Sequence, residues 1–213
     1  MMAIRLVLAD DHRIILEGLE QLFRRERDFE VVATCVTGDE ALEAVRAFEP
    51  DILVLDVKMP KMDGLEVLRT LADAHVKTRV VFLTATLEDD AVIEAMELGV
   101  WGLVLKESAS VALVDSVRKV TRGERALDPI LVGRAVDRMS RRAVGMREVQ
   151  QVLSPREQDV VRMVASGLRN KEIAQKLSIT EGTVKFYLHA IYEKLEVHGR
   201  VELTLYAQEK GLV

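Results

Sequence analysis

Four short apolar runs in this chain each end on a side chain able to do chemistry. Ile4 to Ala9 is followed by Asp10 and Asp11, Ile52 to Leu55 by Asp56, Val80 to Leu83 by Thr84, and Gly102 to Leu105 by Lys106. Three carboxylates in one crevice repel one another and raise at least one apparent pKa unless a cation neutralises them. A hard divalent cation such as Mg2+ suits such an oxygen set and keeps some of its waters. The bound charge would cancel the repulsion felt by an incoming phosphoryl group and leave one carboxylate free to attack. Asp56 is then a candidate nucleophile forming an aspartyl-phosphate. Thr84 can donate its hydroxyl to one phosphoryl oxygen, and Lys106 can pair with another as a point charge.

These groups meet only if the runs are strands of one sheet. Between them lie apolar residues at helical spacing: Ile15, Leu19, Leu22 and Phe23; Ala41, Leu42, Val45 and Phe48; Leu65, Leu68 and Leu71; Ala91, Ala95 and Leu98. Val31 to Val36 makes a further strand, and Val111, Leu113, Val114, Val117 and Val120 mark a fifth helix. Five strand-helix units in series predict an α/β domain over residues 1–122, with a parallel sheet and helices on both faces. In such a sheet, ligands bind at the carboxyl ends of the strands, where the five groups above arrive.

Composition frames this reading. The 213 residues allow two small domains, each with its own core. No apolar run approaches the ~20 residues that span a bilayer, and Met1 to Leu8 is too short for a secretory signal, so a cytoplasmic location with no membrane contact is expected. The single cysteine, Cys35, has no cysteine partner for a disulfide or metal site and sits in an apolar run, which marks it as a core residue. The formal charge of −5 is unevenly spread: net −8 over residues 1–122, +2 over 123–150 and +1 over 151–213. An acidic front and a mildly basic back point to two domains with different partners.

Residues 123–150 contain Gly123, Pro129, Gly133 and Gly145 among several arginines, and are read as a linker with one amphipathic helix, Ile130 to Met139. The pattern restarts at Leu153-Ser154-Pro155-Arg156-Glu157. Ser154 with Glu157 fits a capping box, and Pro155 takes the first helical position, where its missing N–H costs nothing. A second short helix follows from Asn170 to Leu177, a third from Glu181 to about Leu195, and a last from about Arg200 to Gln208. The second and third, joined by a tight turn, describe a helix-turn-helix within an all-α four-helix domain over residues 151–213.

Two motif sets carry a family resemblance. Asp10-Asp11, Asp56-Val57-Lys58-Met59-Pro60, Met62-Asp63-Gly64, Leu83-Thr84-Ala85 and Lys106 resemble the flavodoxin-like receiver domain of two-component response regulators. Leu153 to Glu157, Asn170-Lys171-Glu172-Ile173-Ala174 and Thr183-Val184-Lys185 resemble the LuxR-type helix-turn-helix, and the pair in this order is that of the NarL/FixJ subfamily. The resemblance implies that Asp56 accepts phosphate from the phosphohistidine of a sensor histidine kinase. It implies Mg2+ held by Asp11, Asp56 and the backbone carbonyl of Lys58, with Asp10 acting mainly through water. It further implies that Thr84 and Lys106 sense the phosphoryl group. The net +1 over residues 151–213 gives little unspecific affinity, so the active form is expected to be a homodimer that sums two half-sites on double-stranded promoter DNA, with RNA polymerase a candidate partner. The family's usual aromatic on the fifth strand is replaced by Leu103, its usual histidine on the recognition helix by Tyr187, and Glu107 follows Lys106 where many receivers have proline.

On the third helix of the second domain, Thr183, Lys185, Phe186, His189 and Lys194 are the candidate DNA contacts, with Lys171 on the preceding helix. Lys185 and His189 lie four apart on one face, suited to a major groove. Lys171 and Lys194 are assigned to phosphates, which position without specifying. Competing readings fit less well. A phosphatase of the haloacid-dehalogenase type needs an acid two residues after the nucleophile, where Lys58 stands, and there is no P-loop. A DNA-binding regulator that keeps the receiver fold without phosphorylation is the remaining alternative; in either case the chain acts on transcription and is not an enzyme.

Overall fold

The computed structural model describes residues 3–212, without the side chains of residues 108–111. Val111, assigned above to the apolar face of the fifth helix, therefore has its side chain outside the described residues. Residues through Ala135 form one compact unit and those from Val136 a second.

The first unit is built on β1 (Ile4–Ala9), β2 (Phe29–Cys35), β3 (Ile52–Leu55), β4 (Arg79–Thr84), β5 (Gly102–Leu105) and β6 (Ala126–Leu127). All pairings are parallel, in the order β2-β1-β3-β4-β5-β6. Helices α1 (Arg13–Arg24), α2 (Gly38–Phe48), α3 (Gly64–Asp73), α4 (Asp89–Glu97) and α5 (Ala109–Thr121) connect the strands. Successive side chains of a strand point to opposite faces, and the sheet buries both. Val7, Leu53, Leu55, Phe82 and Leu103 pack with Ala41, Val67 and Val92 of α2, α3 and α4. Leu6, Leu8, Ile52, Val54, Leu83 and Val104 pack with Leu16, Leu19 and Phe23 of α1 and Leu113 and Val117 of α5. This double burial is why the strands read as unbroken apolar runs rather than alternating ones. Cys35 is buried at the end of β2, where burial and the nearby Glu40 push its thiol up to about 11.

Within residues 123–150 the structure holds a strand and a longer helix than expected. Ala126–Leu127 forms the edge strand β6, too short to leave an alternating pattern in the sequence. The expected helix over Ile130 to Met139 is instead α6 (Pro129–Val152), 24 residues long. Asp128 starts it, its Oδ1 accepting from the backbone of Ile130 at 2.9 Å and Leu131 at 3.2 Å. The two glycines that look like breakers sit inside the helix. Gly133 faces open space, and at Gly145 a Cβ would come within 2.9 Å of the Lys210 backbone, so that glycine serves close packing.

In the second unit the end of α6 supplies Val149, and Leu153 follows it. Both pack with α7 (Pro155–Ala165), α8 (Asn170–Leu177), α9 (Glu181–Leu195) and α10 (Arg200–Glu209) around Val160, Val164, Ile173, Val184, Leu188, Ile191 and Leu203. The capping box is formed as read: Glu157 accepts from the Ser154 backbone at 2.8 Å and Ser154 caps the Glu157 amide. No helix among the described residues is long and apolar enough to cross a membrane.

Candidate functional site

The carboxyl ends of β1, β3, β4 and β5 bring Asp10, Asp11, Asp56, Thr84 and Lys106 together. Parallel pairing does this directly: the Asp56 amide donates to the Ala9 carbonyl at 2.8 Å, which sets the two acids side by side. Asp10, Asp56 and Thr84 are buried, at 1%, 4% and 1% exposure. Lys106 reaches across them, its Nζ 2.6 Å from Asp10 Oδ2 and 3.0 Å from Asp56 Oδ2. Burial raises the Asp56 pKa above the ordinary carboxylate value; the Asp10 charge adds to this and Lys106 opposes it. For Lys106, burial alone would lower the pKa, but its contacts with Asp10 and Asp56 outweigh burial and raise it.

The loops around Asp56 are fixed by close packing. At Gly64 a Cβ would stand 2.5 Å from the Asp56 carbonyl oxygen and 2.8 Å from Val57 Cα, so glycine lets α3 start directly beneath the acid. Asp63 caps that helix in a reciprocal box with Glu66. Thr84 donates its hydroxyl to the Thr86 carbonyl at 2.8 Å. A cavity of about 480 Å3, lined by Val57, Lys58, Met59, Thr86, Leu87 and Glu88 among others, lies between the two loops.

The donor set suits a hard divalent cation. Ligand atoms of Asp10, Asp11, Asp56 and His12 all lie within 4.8 Å of one another. Asp10 Oδ2 and Asp11 Oδ1 are buried atoms whose partners are the Lys106 ammonium and the His12 ring, respectively. Buried carboxylate oxygens so placed suit Mg2+ coordination. Lys58 is two residues beyond Asp56 with an exposed side chain, so only its backbone could serve such an ion. His12 was not among the residues read from the sequence. Its ring Nδ1 lies 2.8 Å from Asp11 Oδ1, and its amide donates to Asp10 Oδ1 at 2.9 Å. Only its position next to the acid pair could have signalled it.

In the second unit, Val184, Leu188 and Ile191 turn α9 inward, which leaves Lys185, Phe186 and His189 exposed, Phe186 at 71%. His189 faces Glu193 at 3.5 Å. Thr183 is half-buried and engaged in the helix cap, its amide and hydroxyl both on Thr180 Oγ1. Lys171 is exposed in the first turn of α8. Lys194 is exposed and pairs with Glu157, its Nζ 2.8 Å from both carboxylate oxygens. Burial would raise the Glu157 pKa, but Lys194 and Ser154 outweigh it and hold the carboxyl below its ordinary value.

Residues 6–118 match the family described as response regulator receiver domain. The chain belongs to the response regulator family. In this response regulator, residues 151–207 further match the bacterial regulatory proteins of the luxR family, so a receiver precedes a LuxR-type DNA-binding domain. The response regulator protein VraR of Staphylococcus aureus is 32% identical over 212 residues, covering 100% of both chains. The crystal structure of ChrA, from a heme-sensing two-component system, is 32% identical with a TM-score of 0.57 and covers 100% of both chains. At 21% identity, a structure of an RcsB–DNA complex shares the fold, with a TM-score of 0.60 over 97% of this chain and 98% of that one.

Proposed function

We propose that Asp56 is the phosphoacceptor of a two-component pathway and that its modification controls DNA binding and transcription. In the transfer, an Asp56 carboxylate oxygen forms a bond to phosphorus as the bond to the imidazole nitrogen of a kinase phosphohistidine breaks, and the imidazole leaves with the electron pair. Mg2+, held by Asp10, Asp11, Asp56 and the Lys58 carbonyl, would supply the charge that offsets the incoming phosphoryl oxygens. Lys106 then shifts its contact from the Asp56 carboxylate to a phosphoryl oxygen, and Thr84 turns its hydroxyl toward another. The receiver promotes only its own phosphorylation and dephosphorylation, so the protein is a regulator and not an enzyme acting on external substrates.

The observation that carries this reading is Lys106 bridging buried Asp10 and Asp56 at adjacent strand ends, a prepared anion site beside a nucleophile. The exposed Lys185, Phe186 and His189 on α9 support promoter DNA as the second ligand, with Lys171 on its phosphates. A net charge of +1 over residues 151–213 gives weak nonspecific attraction, which favours a homodimer that sums two half-sites. The setting is the cytoplasm, where sensor kinase, promoter and RNA polymerase are all accessible.

The test is acetyl phosphate with Mg2+, which transfers its phosphoryl group and releases acetate, read by intact mass, with footprinting on DNA on the same samples. Wild type should gain an adduct and a stronger footprint, and Asp56→Ala neither. If Asp56→Ala binds DNA as well as modified wild type, the coupling is wrong and the regulator works without phosphorylation.

A further inference from the structure

In a helix-turn-helix the first helix crosses the DNA backbone and the second enters the major groove, so the tilt of the first governs how both meet the duplex. Here the first is α8, eight residues that fully bury only Ile173 and Ala174. Two core side chains adjacent in sequence leave so short a helix free to rock about its point of contact. Its ends are therefore decisive. At the carboxyl end, Ser178 takes the left-handed conformation at φ 54°, which non-glycine residues adopt at a cost. The Ile179 amide donates back to the Ala174 carbonyl at 2.9 Å and the Ser178 amide to the Gln175 carbonyl at 3.2 Å. That closes the turn but leaves the last carbonyl of α8, Leu177, with no amide of its own helix.

Both ends of α8 are held by arginines from outside the motif. Arg156, in the first turn of α7, donates Nη2 to the Leu177 carbonyl at 2.7 Å. Arg200, the first residue of α10, donates Nη1 to Asn170 Oδ1 at 3.2 Å and Nη2 to the Leu168 carbonyl, just before α8. Both arginines are half-buried. Neither forms an ion pair among the described residues, and the carboxylate next to Arg156, that of Glu157, is taken by Lys194 and Ser154. The acceptors are neutral oxygens fixed by the backbone or by a short side chain, so these contacts convey geometry rather than charge balance. Arg200 serves two acceptors with two nitrogens of one planar fork, which a lysine cannot do. Arg156 serves one.

We propose that Arg156 and Arg200 are positioning residues for DNA recognition, clamping the two ends of α8 and so fixing the tilt at which Lys171 meets the DNA backbone and α9 enters the groove. This rests on the DNA-binding reading of α8 and α9 and is independent of Asp56. Neither arginine needs to touch DNA. A misplaced α8 carries Lys171 and the turn before α9 with it, so base contacts lose their alignment, while the attraction of the phosphates carries no sequence information and persists. Specific binding therefore depends on the hydrogen bonds of the two arginines, and nonspecific binding does not.

The test uses the full chain, a duplex selected from a random-sequence library by the wild-type protein, and a random duplex, each titrated at several salt concentrations. Arg200→Lys keeps the charge but brings one nitrogen to two acceptors. Its affinity for the selected duplex should fall about three- to tenfold, the worth of one hydrogen bond, with random-duplex affinity and salt slope unchanged. Arg156→Lys should stay within about threefold of wild type, since one acceptor needs one donor, whereas Arg156→Met should lose about tenfold or more of its preference for the selected duplex. Asn170→Ala removes one acceptor of Arg200 and no charge, and should lose about threefold of that preference. Circular dichroism and thermal melts on the same proteins follow the fold. An unchanged preference in Arg200→Lys and Arg156→Met, whatever their melting temperatures, overturns the clamp and leaves the arginines as stabilisers only. Parallel loss on both duplexes, with a salt slope lower by about one in Arg156→Met, makes them phosphate contacts and overturns it as well. Should the arginine variants fail to fold, Asn170→Ala decides, and wild-type preference there overturns the clamp. If wild type selects no sequence, the DNA-binding reading itself fails and the clamp falls with it.

Discussion

The ammonium of Lys106 lies 3.0 Å from Asp56 Oδ2 and, by the same nitrogen, 2.6 Å from Asp10 Oδ2. In the unmodified protein this lysine does part of what a bound cation would do, neutralising buried carboxylates. Lys106→Ala removes that counter-charge and leaves the acids to repel one another. Losing one partner of a buried ionic group costs about 3–5 kcal/mol where nothing compensates. The variant should therefore melt lower than wild type without Mg2+ and recover more of its melting temperature when Mg2+ is added. Thermal melts over a cation titration check this. Equal Mg2+ dependence in the two proteins would count against a cation site at these acids.

On the proposed reading of Asp56, removing the Thr84 hydroxyl should separate accepting the phosphoryl group from reporting it. Its hydroxyl is buried and donates to the Thr86 carbonyl, while Asp56 and Lys106 are placed independently of it. Thr84→Val keeps the shape and removes the donor, at a stability cost of about 1 kcal/mol. The adduct on Asp56 should still form, but the gain in DNA affinity should fall about tenfold, close to the worth of one charge-assisted hydrogen bond. Thr84→Ser should retain most of the gain. Mass and DNA titration on the same samples decide the matter: a full DNA response in Thr84→Val removes the residue from signalling.

Much of this site was readable from the chain because chemistry and periodicity coincide there. Asp10, Asp56, Thr84 and Lys106 each end an apolar run, and a parallel sheet can only gather those ends at one edge. What was not readable depends on contacts between distant residues. Lys194 looks like a surface charge until Glu157, 37 positions away, is found against it. Gly145 looks like a linker residue until Lys210 is seen packed on it, and β6 is two residues whose only signal is their hydrogen bonds to β5. His12 turns back on its own neighbours through a local turn that leaves no periodic trace.

The Glu157–Lys194 pair gives the second unit a defined pH response. Glu157 has its folded pKa depressed below the ordinary 4.5, mainly because Lys194 and Ser154 overcome burial. A depressed carboxyl contributes stability that is present above its unfolded pKa and is lost as pH falls through the folded value. Wild type should thus lose stability of this unit as pH drops below about 4.5, and Glu157→Gln should lose less over the same window. At neutral pH the substitution should cost about 1–3 kcal/mol, because Lys194 and the Ser154 cap lose their acceptor. Because the pair anchors α9, DNA affinity should fall with it. Denaturant unfolding at pH 7 and pH 4 measures both effects, and parallel pH profiles for the two proteins would remove Glu157 as their cause.

Lys185 and Lys171 should fail differently when removed. Lys185 projects from the exposed face of α9 beside Phe186, whereas Lys171 stands at the first turn of α8 with no paired acid within the described ion pairs. A base-reading lysine discriminates between sequences, and a phosphate-binding one does not. Lys185→Ala should cost about 1–3 kcal/mol on the selected site and little on random DNA, erasing the specific footprint. Lys171→Ala should weaken specific and nonspecific binding alike and reduce the salt slope by about one. Binding isotherms at several salt concentrations, on selected and random duplexes, separate the two. An unchanged salt slope in Lys171→Ala would take that lysine off the DNA backbone, and loss of affinity on both duplexes in Lys185→Ala would reassign it from bases to phosphates.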